Sequence, residues 1–182
     1  MLMNDGKIFV ETKRQDDVKI KSKCTRWDEL KETIKYHAQL SALLKSPTKF
    51  ILLNPPTYIN KRLAAAAGDD DGEWSIGERG IEYIQDDLNQ FMKGIDNVQP
   101  RGVTPLTQQL QRIYESVKYL TTTTNKIILV IATDGIPTDC NGYTSPTIEK
   151  EFEYVLRLIQ SVANVVIRLC TKIGRASCRE RC

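Results

Sequence analysis

An α/β fold with a mainly parallel sheet is what this 182-residue chain predicts, on three observations. Apolar stripes at helical spacing alternate along it with short, continuous apolar runs. The longest run, residues 127–132 (IILVIA), is uninterrupted, the mark of a strand covered on both faces. It stops abruptly at Thr133-Asp134-Gly135, and open α/β sheets bind their ligands outside such strand ends.

Each element follows from its own residues. Residues 1–24 are charged and weakly patterned, with little to bury. A helix opens at Thr25, which forms a capping box with Asp28 three residues on. Trp27, Leu30, Ile34, Ala38 and Leu44 continue it at helical spacing, and Ser46-Pro47 stops it. Phe50-Ile51-Leu52-Leu53 is a short buried strand closed by Asn54-Pro55-Pro56. Residues 60–80, with four alanines and Asp69-Asp70-Asp71, read as an insertion. Ile81, Ile84, Leu88, Phe91 and Met92 predict a second helix ending near Gly94. A loop, residues 98–105, leads to a third helix with Thr104 as cap and Pro105 at the first helical position. Its apolar stripe is Leu106, Leu110, Ile113, Val117 and Leu120. The run ending at Ala132 comes next, then a fourth helix over residues 147–162 carrying Phe152, Val155, Leu156 and Ile159. Residues 164–170 form a last buried strand.

Composition bounds the function classes. A hydrophobic fraction of 41% with 27% charged residues suits a soluble globular domain, and the length suits one domain. No apolar run approaches the roughly 20 residues of a membrane span, and no signal peptide opens the chain, so a cytoplasmic, non-membrane protein is expected. Five widely spaced cysteines, an odd number, argue against a disulfide framework and a zinc ribbon. The formal charge of +3 resides entirely in residues 172–182, KIGRASCRERC; the remaining residues hold equal numbers of acidic and basic side chains. KIGRASCRER reads as the translation of a short-read sequencing adapter, with Cys182 departing from that frame, so this tail is expected to be non-native. Basicity therefore supplies no reason to expect a nucleic-acid partner.

Catalytic constellations are absent from the sequence. His37 is the single histidine, on the border of the first helix's apolar face, where rim or core packing is expected. Cys24, Cys140 and Cys170 form no CxxC pair, and there is no GxGxxG, Walker loop or GxSxG. Residues 67–78 place Asp69, Asp71, Gly72 and Glu78 at the offsets of a calcium loop. Ala67 stands where that loop needs its leading carboxylate, which favours a solvated acidic insertion. The Thr121–Thr124 run is a polar loop. Taken alone, Asp134 suits either a strand-end ligand or a turn cap, and Thr104 a simple helix cap.

The combination PRGVTPL followed by ILVIATDGIPTD resembles the von Willebrand factor A domain family, over residues 26–170. Trp27-Asp28-Glu29-Leu30-Lys31 resembles the family's first amphipathic helix in non-secreted eukaryotic members, and residues 50–56 its following strand. The resemblance implies a Rossmann-like, doubly wound, mostly parallel sheet flanked by helices. It also implies adhesion or scaffolding through a divalent cation, Mg²⁺, at the C-terminal edge of the sheet. Thr104 and Asp134 then match the second and third positions of the family's metal-dependent adhesion motif. Mg²⁺ prefers oxygen ligands and keeps several waters, which leaves a position for a partner's Asp or Glu.

The first motif, D-x-S-x-S, has no counterpart. Its nearest register is Asn4-Asp5-Gly6-Lys7-Ile8, with Asp5 as the substitute carboxylate and only three residues before it. A central strand needs about five. The domain is accordingly expected to be incomplete: a poorly patterned segment over residues 1–24, a partial domain over 25–171 lacking the family's last strand and helix, and the tail. The functional expectation is a non-enzymatic protein-binding module. The alternatives are a metal-independent scaffold of the same fold and a small α/β enzyme with Asp134 as general base.

Overall fold

The structure, a computed structural model, describes residues 6–11, 19–54, 56–58, 72–120 and 126–170. It is a mixed α/β chain that divides into two compact units, Met1–Arg101 and Gly102–Cys182. No helix among the described residues is long and apolar enough to cross a membrane.

In the first unit, strands β1 (Gly6–Glu11) and β2 (Lys19–Cys24) pair antiparallel, with Gly6 opposite Cys24 and Glu11 opposite Lys19. Helix α1 spans Arg26–Leu44 and starts as the sequence predicts. The Asp28 N–H donates to Thr25 Oγ1 at 3.1 Å, and the Thr25 N–H to Asp28 Oδ2 at 3.2 Å. The Thr25 hydroxyl, ahead of Lys31, holds the Asp28 carboxyl below its ordinary pKa of 3.8. The helix stops before Ser46-Pro47, at Lys45, which takes the left-handed conformation (φ 53°, ψ 37°) and closes on the Ala42 carbonyl.

Strand β3 (Thr48–Ile51) pairs antiparallel with β5 (Glu73–Ile76), and β4 (Thr57–Tyr58) with β6 (Val98–Gln99). β5 lies inside the stretch expected to be an insertion. Its Glu-Trp-Ser-Ile alternation buries Trp74 and Ile76, a period-2 signal only four residues long. A calcium loop over residues 67–78 would need these same residues as loop, and they are strand; residues 67–71 lie outside the described part. A 3₁₀ turn (Ile81–Tyr83) enters helix α2, Ile84–Asp96.

The core of this unit is Trp27, Leu30 and Ala38 of α1, Trp74 and Ile76 of β5, Ile84, Phe91 and Ile95 of α2, and Val98. Phe91 sits between two rings, with centroids 4.5 Å from Phe50 and 5.8 Å from Trp74. The Trp27 indole N–H donates to the Val98 carbonyl at 3.0 Å, which keeps the buried ring's polar atom satisfied. The buried Asp87 carboxylate takes the Gly77 N–H at 3.0 Å and the Arg79 guanidinium, fixing the turn after β5 onto α2. His37 is exposed on the rim of α1, edge-on to Tyr36.

In the second unit, helix α3 (Leu106–Val117) packs on helix α4 (Pro146–Gln160), and strands β7 (Ile128–Thr133) and β8 (Asn164–Leu169) pair in parallel. A parallel pair needs a crossover, and α4 supplies it. Ser145 caps α4 through the Ile148 N–H, with Pro146 at the first helical position. Leu106, Leu110, Ile131, Val155 and Ile159 are buried.

Two expectations change here. The described strand pairs are three antiparallel and one parallel, where a mostly parallel sheet was expected. The β7 run was expected to be covered on both faces, but Ile128 and Val130 are 66% and 59% exposed while Ile131 and Thr133 are buried. Alternate positions on a strand point to opposite faces, so one face of β7 is packed and the other is open.

Candidate functional site

Asp134 and Thr104 belong to the same unit, and the fold brings their segments together. Asp134 is the first residue past β7 and is half-buried. The residues on either side of it are fixed. Cys170 donates its N–H to the Thr133 carbonyl at 2.8 Å, extending the parallel ladder to the end of the strand. The buried Thr133 hydroxyl accepts the Gly135 N–H and donates to the Gly135 carbonyl, each at 3.2 Å. The strand end is thus converted into a tight turn by a threonine–backbone bond, a local alternative to further sheet.

Thr104 is not the cap of α3. The cap position is Pro105 (φ −77°, ψ 54°), with no side-chain capping bond, and the helix starts at Leu106. Proline has no N–H to offer, and its ring disfavours the helical conformation in the residue before it, so Thr104 stays outside the helix. Its carbonyl accepts from the Leu106 N–H at 2.8 Å and the Thr138 N–H at 2.9 Å. Its own N–H donates to Thr138 Oγ1 at 3.0 Å. With its backbone held this way, the Thr104 side chain lies against Gly135: a Cβ placed on that glycine would stand 2.9 Å from Thr104 Oγ1. Only a residue without a Cβ allows this approach unshifted.

The loop beyond is also organised by its own side chains. Asp139 Oδ1 accepts the Asn141 N–H at 2.9 Å and the Tyr143 N–H at 2.8 Å, so this carboxylate is committed to its turn. Ile136 and Tyr143, on either side of that turn, are 59% and 72% exposed.

The oxygens at this strand end are a hydroxyl and a carboxylate, each on a segment fixed by backbone bonds. Such a hard, oxygen-only pair suits Mg²⁺ or Mn²⁺, which accept few protein ligands and fill the rest with water. Gly135 leaves the room beside the Thr104 hydroxyl that a side chain would fill. Among the described residues, no three His, Cys, Asp or Glu side chains cluster to hold a metal, so a cation here would have to rest on the Asp134 carboxylate and the Thr104 hydroxyl.

Asp5, the third expected ligand, lies outside the described residues. Gly6, Lys7 and Ile8, which follow it, are in β1 and pair with Cys24, Lys23 and Ser22. The register expected to supply a loop after a strand is therefore itself the start of a strand. Among the described residues, Cys24, Cys140 and Cys170 form no disulfide. The sequence reading did not single out Gly135 or Thr138 individually. Their signal was present in the string Asp-Gly-Ile-Pro-Thr, a turn in which a glycine and a hydroxyl bracket a proline. No family model, curated protein or solved structure matches the chain.

Proposed function

We propose that this chain is a non-enzymatic protein-binding module of the von Willebrand A type, with a doubly wound sheet in its complete form. It would engage a partner's Asp or Glu through a divalent cation held at the end of β7 by Asp134 and Thr104. One observation carries the reading: two sites 30 residues apart in sequence, each tied to a different element, meet with the Thr104 hydroxyl against Gly135. The cap position of α3 is Pro105, so Thr104 stands one residue outside it.

When bound, the cation supplies a Lewis-acid position that a partner carboxylate completes. The chain's own residues would supply the Asp134 carboxylate at the strand end, the Thr104 hydroxyl, and the glycine that lets that hydroxyl approach the Asp134–Gly135 turn. A cytoplasmic location accompanies the reading, on the odd number of widely spaced cysteines in the sequence.

Isothermal titration of Mn²⁺ and Mg²⁺ into the full chain tests it. Saturable binding lost in both Thr104→Ala and Asp134→Ala, at unchanged melting temperature, is the expected result. Equal binding by all three proteins, or none by the parent, contradicts it. A metal-independent scaffold is the second reading, favoured by the exposed Ile136 and Tyr143 on the same loop. Partner capture that survives EDTA but fails in Ile136→Ser/Tyr143→Ser selects that one.

A further inference from the structure

Two hydrogen bonds join the Thr104 peptide to Thr138, in the loop after β7. Thr138 accepts the Thr104 N–H on its hydroxyl at 3.0 Å and returns its own N–H to the Thr104 carbonyl at 2.9 Å. Its hydroxyl donates in turn to the Asp139 carbonyl at 3.2 Å, which leaves a lone pair to accept from Thr104. Asp139 is in turn locked by its bonds to Asn141 and Tyr143. The chain of bonds runs from a self-closed turn, through Thr138, to the backbone of Thr104.

We propose that Thr138 is the positioning residue of the Thr104–Asp134 pair: its reciprocal clamp on the Thr104 peptide holds the Thr104 hydroxyl against the Asp134–Gly135 turn. This rests on the cation-binding reading of that pair. The clamp is needed because Pro105 withholds what a helix start normally provides. A threonine at a helix cap is oriented by the amides of the first turn, but here the cap position is Pro105, which offers no side-chain acceptor. Without Thr138, the Thr104 N–H would have no partner in this loop, and the hydroxyl would be free to rotate away from Gly135. Thr138 touches neither the cation nor the partner. It acts through Thr104, as the residues behind metal ligands do when they fix a ligand's orientation.

Thr138→Val and Thr138→Ser in the full chain test this. Valine keeps the shape and the N–H but removes the oxygen; serine keeps both. Amide hydrogen exchange reads the clamp without any metal, and Mn²⁺ titration reads its consequence. The expected result is a Thr104 amide protected in the parent and in Thr138→Ser but fast-exchanging in Thr138→Val. Protection in α1 and β7–β8 stays equal in all three. Mn²⁺ affinity falls by about tenfold or more in Thr138→Val and is restored in Thr138→Ser. Equal Thr104 exchange in all three proteins overturns the proposal. So does unchanged Mn²⁺ affinity in a Thr138→Val protein whose Thr104 amide has opened. Loss of protection throughout β7–β8 overturns it in favour of a folding role. If the parent binds no Mn²⁺, the cation reading fails, and the exchange of the Thr104 amide still decides whether the clamp exists.

Discussion

Gly135 and Thr104 illustrate how much a single atom decides at the end of β7. A methyl on Gly135 would stand 2.9 Å from the Thr104 hydroxyl oxygen, closer than real contacts allow. The threonine can yield by rotating, so Gly135→Ala should lower stability by no more than ~1 kcal/mol. It should also displace the hydroxyl and weaken Mn²⁺ binding, a split that melting and titration together will show. Thr104 was legible in the sequence as a residue of interest, but its reason was not. TP before an apolar stripe reads as cap and first turn, whereas the proline takes the cap position and releases the threonine for the strand end. That outcome depends on a bond to Thr138, 34 residues away, which no local pattern encodes.

At the scale of elements, the amphipathic helices and the apolar strands were readable, and the short strand β5 was not. The α1 capping box, Thr25 with Asp28, is a local signal and forms as the sequence indicates. Thr25→Ala should destabilise the first unit by about 1 kcal/mol, measured by urea unfolding. The box also has a pH signature. Because the Asp28 carboxyl is held below 3.8, chiefly by Thr25, its contribution is complete above that value. It fades as pH falls through the lower folded value. The acid limb of the stability curve should therefore flatten in Thr25→Ala, and an NMR titration should show Asp28 returning toward its ordinary value.

β5 was missed because Glu73–Ile76 gives only two turns of alternation and follows an acidic, glycine-flanked stretch. Its stability comes from tertiary packing of Trp74 on α2. That ring lies so close to Gly94 that an added Cβ would stand 2.7 Å from the indole nitrogen. Gly94→Ala should gain helix propensity yet lose about 1–3 kcal/mol through overpacking, so the net sign in urea unfolding is destabilising.

For the whole molecule, the alternation of strand and helix correctly gave an α/β class, because apolar periodicity is set by burial in each element. Sheet organisation was less legible. Pairing is non-local: β3 finds β5 and β4 finds β6, antiparallel, across segments whose lengths say nothing about partner choice. The net positive charge, confined to residues 172–182, carries no information about the fold. The central claim is that the end of β7 holds a divalent cation between Asp134 and Thr104. Paramagnetic broadening of assigned amides by substoichiometric Mn²⁺ in the full chain tests it most directly. The account predicts selective loss of the Thr104, Gly135 and Ile136 signals, reversed by Mg²⁺ and absent in Asp134→Ala. No broadening, or broadening that centres on other acidic residues and persists in Asp134→Ala, would contradict it.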